Sequence, residues 1–265
     1  MQADEGIYIM RGFPDFTVPG FDMEVYNDRF KKSNVIIHAS SADISYAEHW
    51  GCLSIKCAVN GNEYYRCQDR FYAVNSSNYL ILNEGSNYSS YIFSRQPVES
   101  FTINFSSAFE ATVIQSLLAD VNKTLDSGNN CTLQRVEFTE KLYAHDNCVS
   151  PVLNKLYRLS LEEKTGGAYI AELYYVLLER LLLLQQNVNK EIKNVAAAKA
   201  STQKEIYKRL HYAQDYIDSS FSSDINLQQL SVVACLNSAY FLRQFKKYFG
   251  VTPYRYIIQK RLAAA

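Results

Sequence analysis

The sequence lacks the motifs from which catalysis is usually read. It has no glycine-rich phosphate loop and no recognisable serine or cysteine nucleophile motif. A metal site inside a small barrel needs several histidines and a carboxylate converging. Only His38, His49 and His145 fall in the strand-rich part of the chain, without His-x-His spacing, and His49 with Cys52 is a lone structural pair. Neither a bound metal nor another cofactor is expected, and no enzymatic activity. The six cysteines show no CxxC spacing, and the opening MQADEGIYIMRGF lacks a basic stretch followed by an apolar core. Reduced thiols and a cytoplasmic location are therefore expected. The Asn-x-Ser/Thr sequences at Asn75 and Asn87 are read as accidental in a chain this rich in Asn and Ser. No long apolar run is present either: the best, Ile170 to Leu184, is interrupted by Glu172, Glu179 and Arg180, so no membrane partner is expected.

Net charge is also missing, with 27 basic against 27 acidic residues, but the balance is uneven along the chain. From Ser201 onward there are 9 Lys and Arg against 4 Asp and Glu, a net of +5, leaving 18 against 23 in residues 1–200. A basic module on an acidic body suits a DNA-binding unit attached to a domain that stays off DNA. Hydrophobic residues make up 48% of the 265, enough for packed cores in two domains.

Residues 1–20 read as an arm without period. Short strands follow. Val35-Ile36-Ile37 is one apolar run, and LSIKCAV alternates at period two and meets Asn60-Gly61, a hairpin signal, with Tyr64 to Cys67 as the return strand. YLILNEG, YSSYIFS and ESFTINFS are further strands, with Phe101, Ile103 and Phe105 on one side and Thr102 and Asn104 on the other. Antiparallel strands at such intervals argue for a small barrel or sandwich. Ser107 with Glu110 starts a helix to about Ala119, and a strand is expected around Arg135 to Leu142.

From Ser150 the texture is helical, with Ser150-Pro151 as cap and first turn. A second helix runs from about Ala168 to Gln186. Ile170, Leu173, Leu177, Leu181 and Leu184 form its stripe, and Tyr175, Val176, Leu182 and Leu183 are apolar off it. A helix apolar on most sides needs two surfaces to pack on. A second copy of the chain is one candidate, which makes this stripe the centre of a homodimer; burial within one subunit is the other. NVNKEIKNVAAAKAS reads as a linker. The expected domains are 1–149 (arm and sheet domain), 150–200 (helical hairpin and linker) and 201–265.

In the last domain Thr202 and Glu205 cap a support helix. Asn226 caps a short helix bearing Leu227, Leu230 and Val233, and Asn237 caps a second bearing Phe241 and Phe245, closed by Gly250. This is the layout of a helix-turn-helix. The stretch NLQQLSVVACLNSAYFLRQFKKYFGVTPYRYIIQKRL resembles the first helix-turn-helix and linking helix of the AraC/XylS family of bacterial transcription regulators. More weakly, NYLILNEGSNYSSYIFSRQPVESFTINFS looks like that family's cupin-like regulatory domain. The resemblance implies an α+β fold: an N-terminal cupin-like antiparallel β-barrel, a helical dimerisation segment and a C-terminal all-α helix-turn-helix subdomain. It implies DNA as partner, with Ser238, Ala239, Leu242 and Arg243 at base edges. Arginine suits guanine, serine several bases, and apolar side chains thymine methyls. Tyr240, Lys246, Lys247 and Arg255 are better placed for phosphates. A small-molecule effector is a further implied partner; Trp50, Tyr64, Tyr65, Tyr72, Tyr79, Tyr91 and Phe93 are candidate lining residues, or core. Two features depart from the family pattern. Cys235 stands where glycine is usual, and no second helix-turn-helix follows, from which a truncated chain is expected. Two other readings remain open at this stage: a cupin-like metal-dependent enzyme with a helical tail, and a dimerising, effector-binding fragment without DNA binding.

Overall fold

The computed structural model describes residues 7–15, 18–124, 136–162 and 167–264. The fold is α+β, with eight strands and eight helices among the described residues. In chain order these are β1 (Ile7–Met10), α1 (Met23–Lys32), β2 (Asn34–Trp50), β3 (Ser54–Val59), β4 (Glu63–Cys67), β5 (Arg70–Val74), β6 (Asn78–Leu82), β7 (Asn87–Asn104), α2 (Ser107–Thr124), β8 (Leu142–Ala144), α3 (Ser150–Leu161), α4 (Gly167–Lys193), α5 (Ala200–Ser220), α6 (Leu227–Val233), α7 (Ser238–Phe249) and α8 (Pro253–Ala264). None of the described helices is long and apolar enough to cross a membrane.

The strands form one sheet in the order β1-β2-β7-β3-β6-β8, with β4 paired to β5 and β7. It is antiparallel except where β1 joins β2 in parallel. The arm, which showed no period in the sequence, thus contributes an edge strand, and α1 follows it. The sheet curls on itself, and among the described residues β1 and β8 end its pairing path. YSSYIFS and ESFTINFS are one strand, β7, running through Pro97 at an exposed stretch. The hairpin at Asn60-Gly61 needs correction as well. The turn exists, with φ 62° at Asn60 and 151° at Gly61. Yet β3 and β4 do not pair with each other. Each pairs with a different part of β7: Lys56 opposite Thr102, and Tyr65 opposite Ser90. A strand of 18 residues is long enough to serve both.

The two faces of this sheet carry different chemistry. Ile55, Phe101, Ile103 and Phe105 turn to the helical layer and join one core with α3, α4 and the C-terminal helices. Tyr65, Tyr72, Leu80, Leu82 and Ile92 form a second core inside the curl. Tyr79, by contrast, belongs to the helical side.

The helical layer accounts for α4. Ile170, Leu173, Leu177 and Leu181 are 0–6% exposed within this one subunit. They are therefore core side chains and not the centre of a dimer: apolar area already removed from water cannot be buried a second time. Leu184 is half-buried, while Tyr175 and Leu183 lie outward. The expected long linker is also mostly helix. α4 continues to Lys193 and α5 begins at Ala200, with Val195 buried between them. Two caps differ from expectation. Ser150 lies inside α3, where Asp146 accepts the backbone N–H groups of Cys148 and Val149. α5 begins after Lys199 without a side-chain cap.

Candidate nucleic-acid interface and sensor cavity

The helix-turn-helix is built by local chemistry. Asn226 and Gln229 form a reciprocal capping box at the start of α6. The Asn237 side chain accepts the Ala239 N–H at the start of α7. Gly250, at φ 75°, closes α7 with its N–H on the Lys246 carbonyl. Cys235 takes φ 50° in the turn between the helices, a left-handed conformation that strains a residue with a Cβ. Its carbonyl accepts from the Arg209 guanidinium at 2.8 Å, which ties the turn to α5.

α7 is divided lengthwise. Phe241 and Phe245 are fully buried, their rings 5.5 Å apart, and Gln244 is buried beside them. Ala239, Leu242, Arg243, Lys246 and Lys247 are exposed, and the first four recur at spacings of three and four, so they share one side. Arg243 lies over the Tyr240 ring at 5.4 Å, which braces the guanidinium from a half-buried base. Ser238 is half-exposed at the start of α7. Its hydroxyl lies 2.8 Å from Ser231 Oγ and donates to Gln228 Oε1 at 3.1 Å, clamping α7 to α6. Arg255 is exposed in the first turn of α8, a separate helix.

The charges on this unit are one-sided. From Ile225 onward there is no Asp or Glu. Lys260 pairs with Asp218 at 2.9 Å, and Arg261 donates to the carbonyls of Phe221 and Ser223. Among the described residues Arg243, Lys246, Lys247 and Arg255 enter no ion pair.

The unit is seated on the sheet by buried polar contacts from α5. Asp215 Oδ1 accepts the Leu142 N–H at 3.1 Å, and Ser219 Oγ accepts the Ala73 N–H at 2.8 Å. Lys141 Nζ donates to Tyr207 OH at 3.0 Å, and that hydroxyl donates to Glu191 at 2.8 Å. Burial raises the Asp215 carboxyl well above the usual carboxylate range and lowers the Lys141 ammonium. Arg70 joins Glu140 at 3.0 Å and lies over the Tyr212 ring of α5.

Inside the curl is a cavity of about 660 Å³, within the range of small-molecule sites. Its deep wall carries Lys56, Glu63, Tyr65, Tyr88, Ser100 and Thr102. Its rim carries Phe13, Tyr26, Phe30 and Trp50. Of the aromatic residues proposed from sequence, Trp50 and Tyr65 line it. Tyr72 and Tyr79 are core, Tyr91 and Phe93 are exposed, and Tyr64 stacks against Phe71 and Tyr91. Lys56 and Glu63 escaped the sequence reading. Their only signal is polarity at alternate strand positions, which exposed strand residues share. His49 and Cys52 also reach the cavity, and burial pulls the His49 imidazole down and pushes the Cys52 thiol up to about 11. The described residues contain no cluster of three or more His, Cys, Asp or Glu suited to a metal.

No family model matches the sequence, and no curated protein matches it. Solved structures similar to the chain include ToxT from Vibrio cholerae, at 13% identity over 86% of this chain and 98% of that one, TM-score 0.38. ToxT from Vibrio cholerae O395 bound to (E)-4-(8-methylnaphthalen-1-yl)but-3-enoic acid gives 12% identity over 86% and 100%, TM-score 0.39. The AraC-like transcriptional activator CuxR gives 14% identity over 86% and 75%, TM-score 0.38. Likenesses of this size carry neither a ligand nor a DNA site from those proteins to this chain.

Proposed function

We propose that this protein is a sequence-specific DNA-binding transcription regulator of AraC type, responsive to a small-molecule effector and dimeric. The supporting observation is the division of α7. Its inner side is locked by Phe241 and Phe245, while Ala239, Leu242, Arg243 and Lys246 form an exposed side with no carboxylate nearby in sequence. A rigid helix with an arginine on its free side and lysines at its end is suited to the major groove. Arg243 takes the base-reading role, with Ala239 and Leu242 against thymine methyls. Lys246, Lys247 and Arg255 meet phosphates, and Tyr240 supports Arg243. Ser238 acts on the α6–α7 angle more than on a base. A dimer contact falls to the outward side of α4, at Tyr175 and Leu183. The cavity in the sheet is the effector site, and a DNA role places the protein in the cytoplasm.

The direct test is fluorescence anisotropy with labelled duplexes, first enriched from a random pool and then titrated across salt. Specific binding that weakens steeply with salt is expected, because each neutralised phosphate releases counterions. Failure to enrich any duplex, with affinity indifferent to salt, would refute the proposal.

A further inference from the structure

The cavity holds two oppositely charged side chains that leave each other unpaired. Lys56 and Glu63 line it, and each is 5% exposed. Among the described residues neither enters an ion pair. Lys56 Nζ donates to Tyr88 OH at 2.9 Å, a neutral partner. Glu63 Oε2 is buried with no hydrogen-bond partner. Isolated buried charges are costly, and a buried acceptor left unsatisfied calls for an explanation. Burial raises the Glu63 carboxyl; hydrogen bonds from Ser100 and Tyr65, and then the Lys56 charge, counter that only in part and leave Oε2 unpartnered. The neighbouring positions on β7, Ser90, Ser100 and Thr102, offer hydroxyls and no charge. Phe13, Tyr26, Phe30 and Trp50 give the rim an apolar surface.

We propose that the cavity binds a small zwitterion with an apolar body, an amino-carboxylate whose anionic group meets Lys56 and whose ammonium meets Glu63. The proposal rests on the cavity being the effector site. Charge balance selects the class. A simple anion would satisfy Lys56 and sit in a dry space with the Glu63 carboxylate. A simple cation would do the reverse beside Lys56. A zwitterion supplies a partner to both and adds no net charge to the interior, while its body reaches the aromatic rim. A sugar supplies hydrogen bonds to both groups but no charge to either.

Trp50 is the sole tryptophan and lies at the rim, so its fluorescence reports occupancy of the native chain. The probes are phenylalanine, its homologues with two or three carbons between amine and carboxylate, 3-phenylpropionate, 2-phenylethylamine and a neutral hexose. At least one amino acid is expected to bind about tenfold or more tighter than both single-charge analogues, in line with charge-assisted hydrogen bonds. Lys56→Met and Glu63→Gln are each expected to weaken it by a similar factor, with circular dichroism confirming the fold. Should a variant not fold, the comparison of matched ligands on the native chain decides alone. Equal binding of 3-phenylpropionate, binding of the hexose only, or no saturable binding by any amino acid overturns the proposal. DNA affinity measured on the same samples separates the two levels. An amino acid that binds without changing DNA affinity upholds the ligand class and removes the effector role. DNA binding that persists while no amino acid binds removes the ligand class alone.

Discussion

His211 is predicted to make the helix-turn-helix unit acid-sensitive. It is 5% exposed on α5, with ring centroids of Tyr207, Tyr248 and Phe249 at 4.3, 5.6 and 5.5 Å. Burial, helped by the Lys141 ammonium, holds its imidazole well below the ordinary value of 6.5. In the unfolded chain it titrates near that ordinary value. As pH falls through about 6.5 the unfolded state therefore takes up a proton that the folded state refuses, and stability is lost. It is fully present above that pH. The loss between pH 7 and 5 is bounded at about 2 kcal/mol, the ceiling set by the unfolded-state titration alone. Phenylalanine is an aromatic that fits the same cage without titrating. His211→Phe should flatten this part of the profile whatever it does to stability at pH 7. Urea unfolding followed by far-UV circular dichroism at pH 7, 6 and 5 gives both curves. Burial raises Asp215, Asp218 and Glu63, whose stability contributions run in the opposite direction, lost as pH rises through their folded values. They are common to both chains and cancel in the difference. Parallel curves for the two chains would refute the assignment.

Arg243→Ala is expected to cost about 1–3 kcal/mol of DNA affinity and relax preference at one base pair, whereas Lys246→Ala should weaken all duplexes alike and lower the salt slope by about one; anisotropy across a set of single-base variants separates them. Leu177→Ala should lower stability by about 2–5 kcal/mol without changing oligomeric state, while Leu183→Glu should shift a dimer toward monomer in light scattering and leave stability nearly unchanged. A loss of dimer in Leu177→Ala at undiminished stability would contradict the packing of α4. Cys235→Gly should raise stability by about 1 kcal/mol net, because relief of left-handed strain exceeds the added chain entropy; thermal unfolding without gain would show the turn to be unstrained.

The helix-turn-helix was legible because its determinants are close in sequence. Asn226, Asn237 and Gly250 each act within about four residues, and Phe241 and Phe245 mark the buried side directly. Even the left-handed backbone of Cys235 follows from its place in the turn. The sheet was legible as strands but not as topology. Asn60-Gly61 specifies a turn locally, while the partner of each strand depends on β7, more than twenty residues downstream. The α4 stripe has the same weakness. Periodicity identifies an apolar side but carries no information on which surface covers it, and here the subunit's own sheet and helices do. The cavity was the least legible feature. Alternation in LSIKCAV places Lys56 opposite Ile55 and Cys57, which ordinarily means a solvent face. Here both faces of the sheet are enclosed, so the same alternation puts the lysine inside.

The cavity and the helix-turn-helix unit are connected by a short chain of contacts. Glu84 and Gly85 line the cavity, and the next residue, Ser86, donates to the Glu140 carboxylate. Asn83 donates to the same carboxylate through its backbone N–H at 3.1 Å. Glu140 in turn holds Arg70, which lies over Tyr212 of α5. On the proposed function, a ligand at the Glu84–Gly85 turn would act on a carboxylate that is connected through Arg70 to the support helix of the helix-turn-helix. The character of the seat matters as much as the path. An apolar seat would tolerate small shifts with little change in energy. Asp215, Lys141 and Tyr207 instead depend on specific partners at hydrogen-bond distance, and removing one partner from a buried polar group costs far more than the intact contact contributes. A displacement at Arg70 therefore costs more at this seat than it would across an apolar contact. On the proposed function, that steepness is what lets occupancy of a cavity in the sheet change the presentation of Arg243 to DNA.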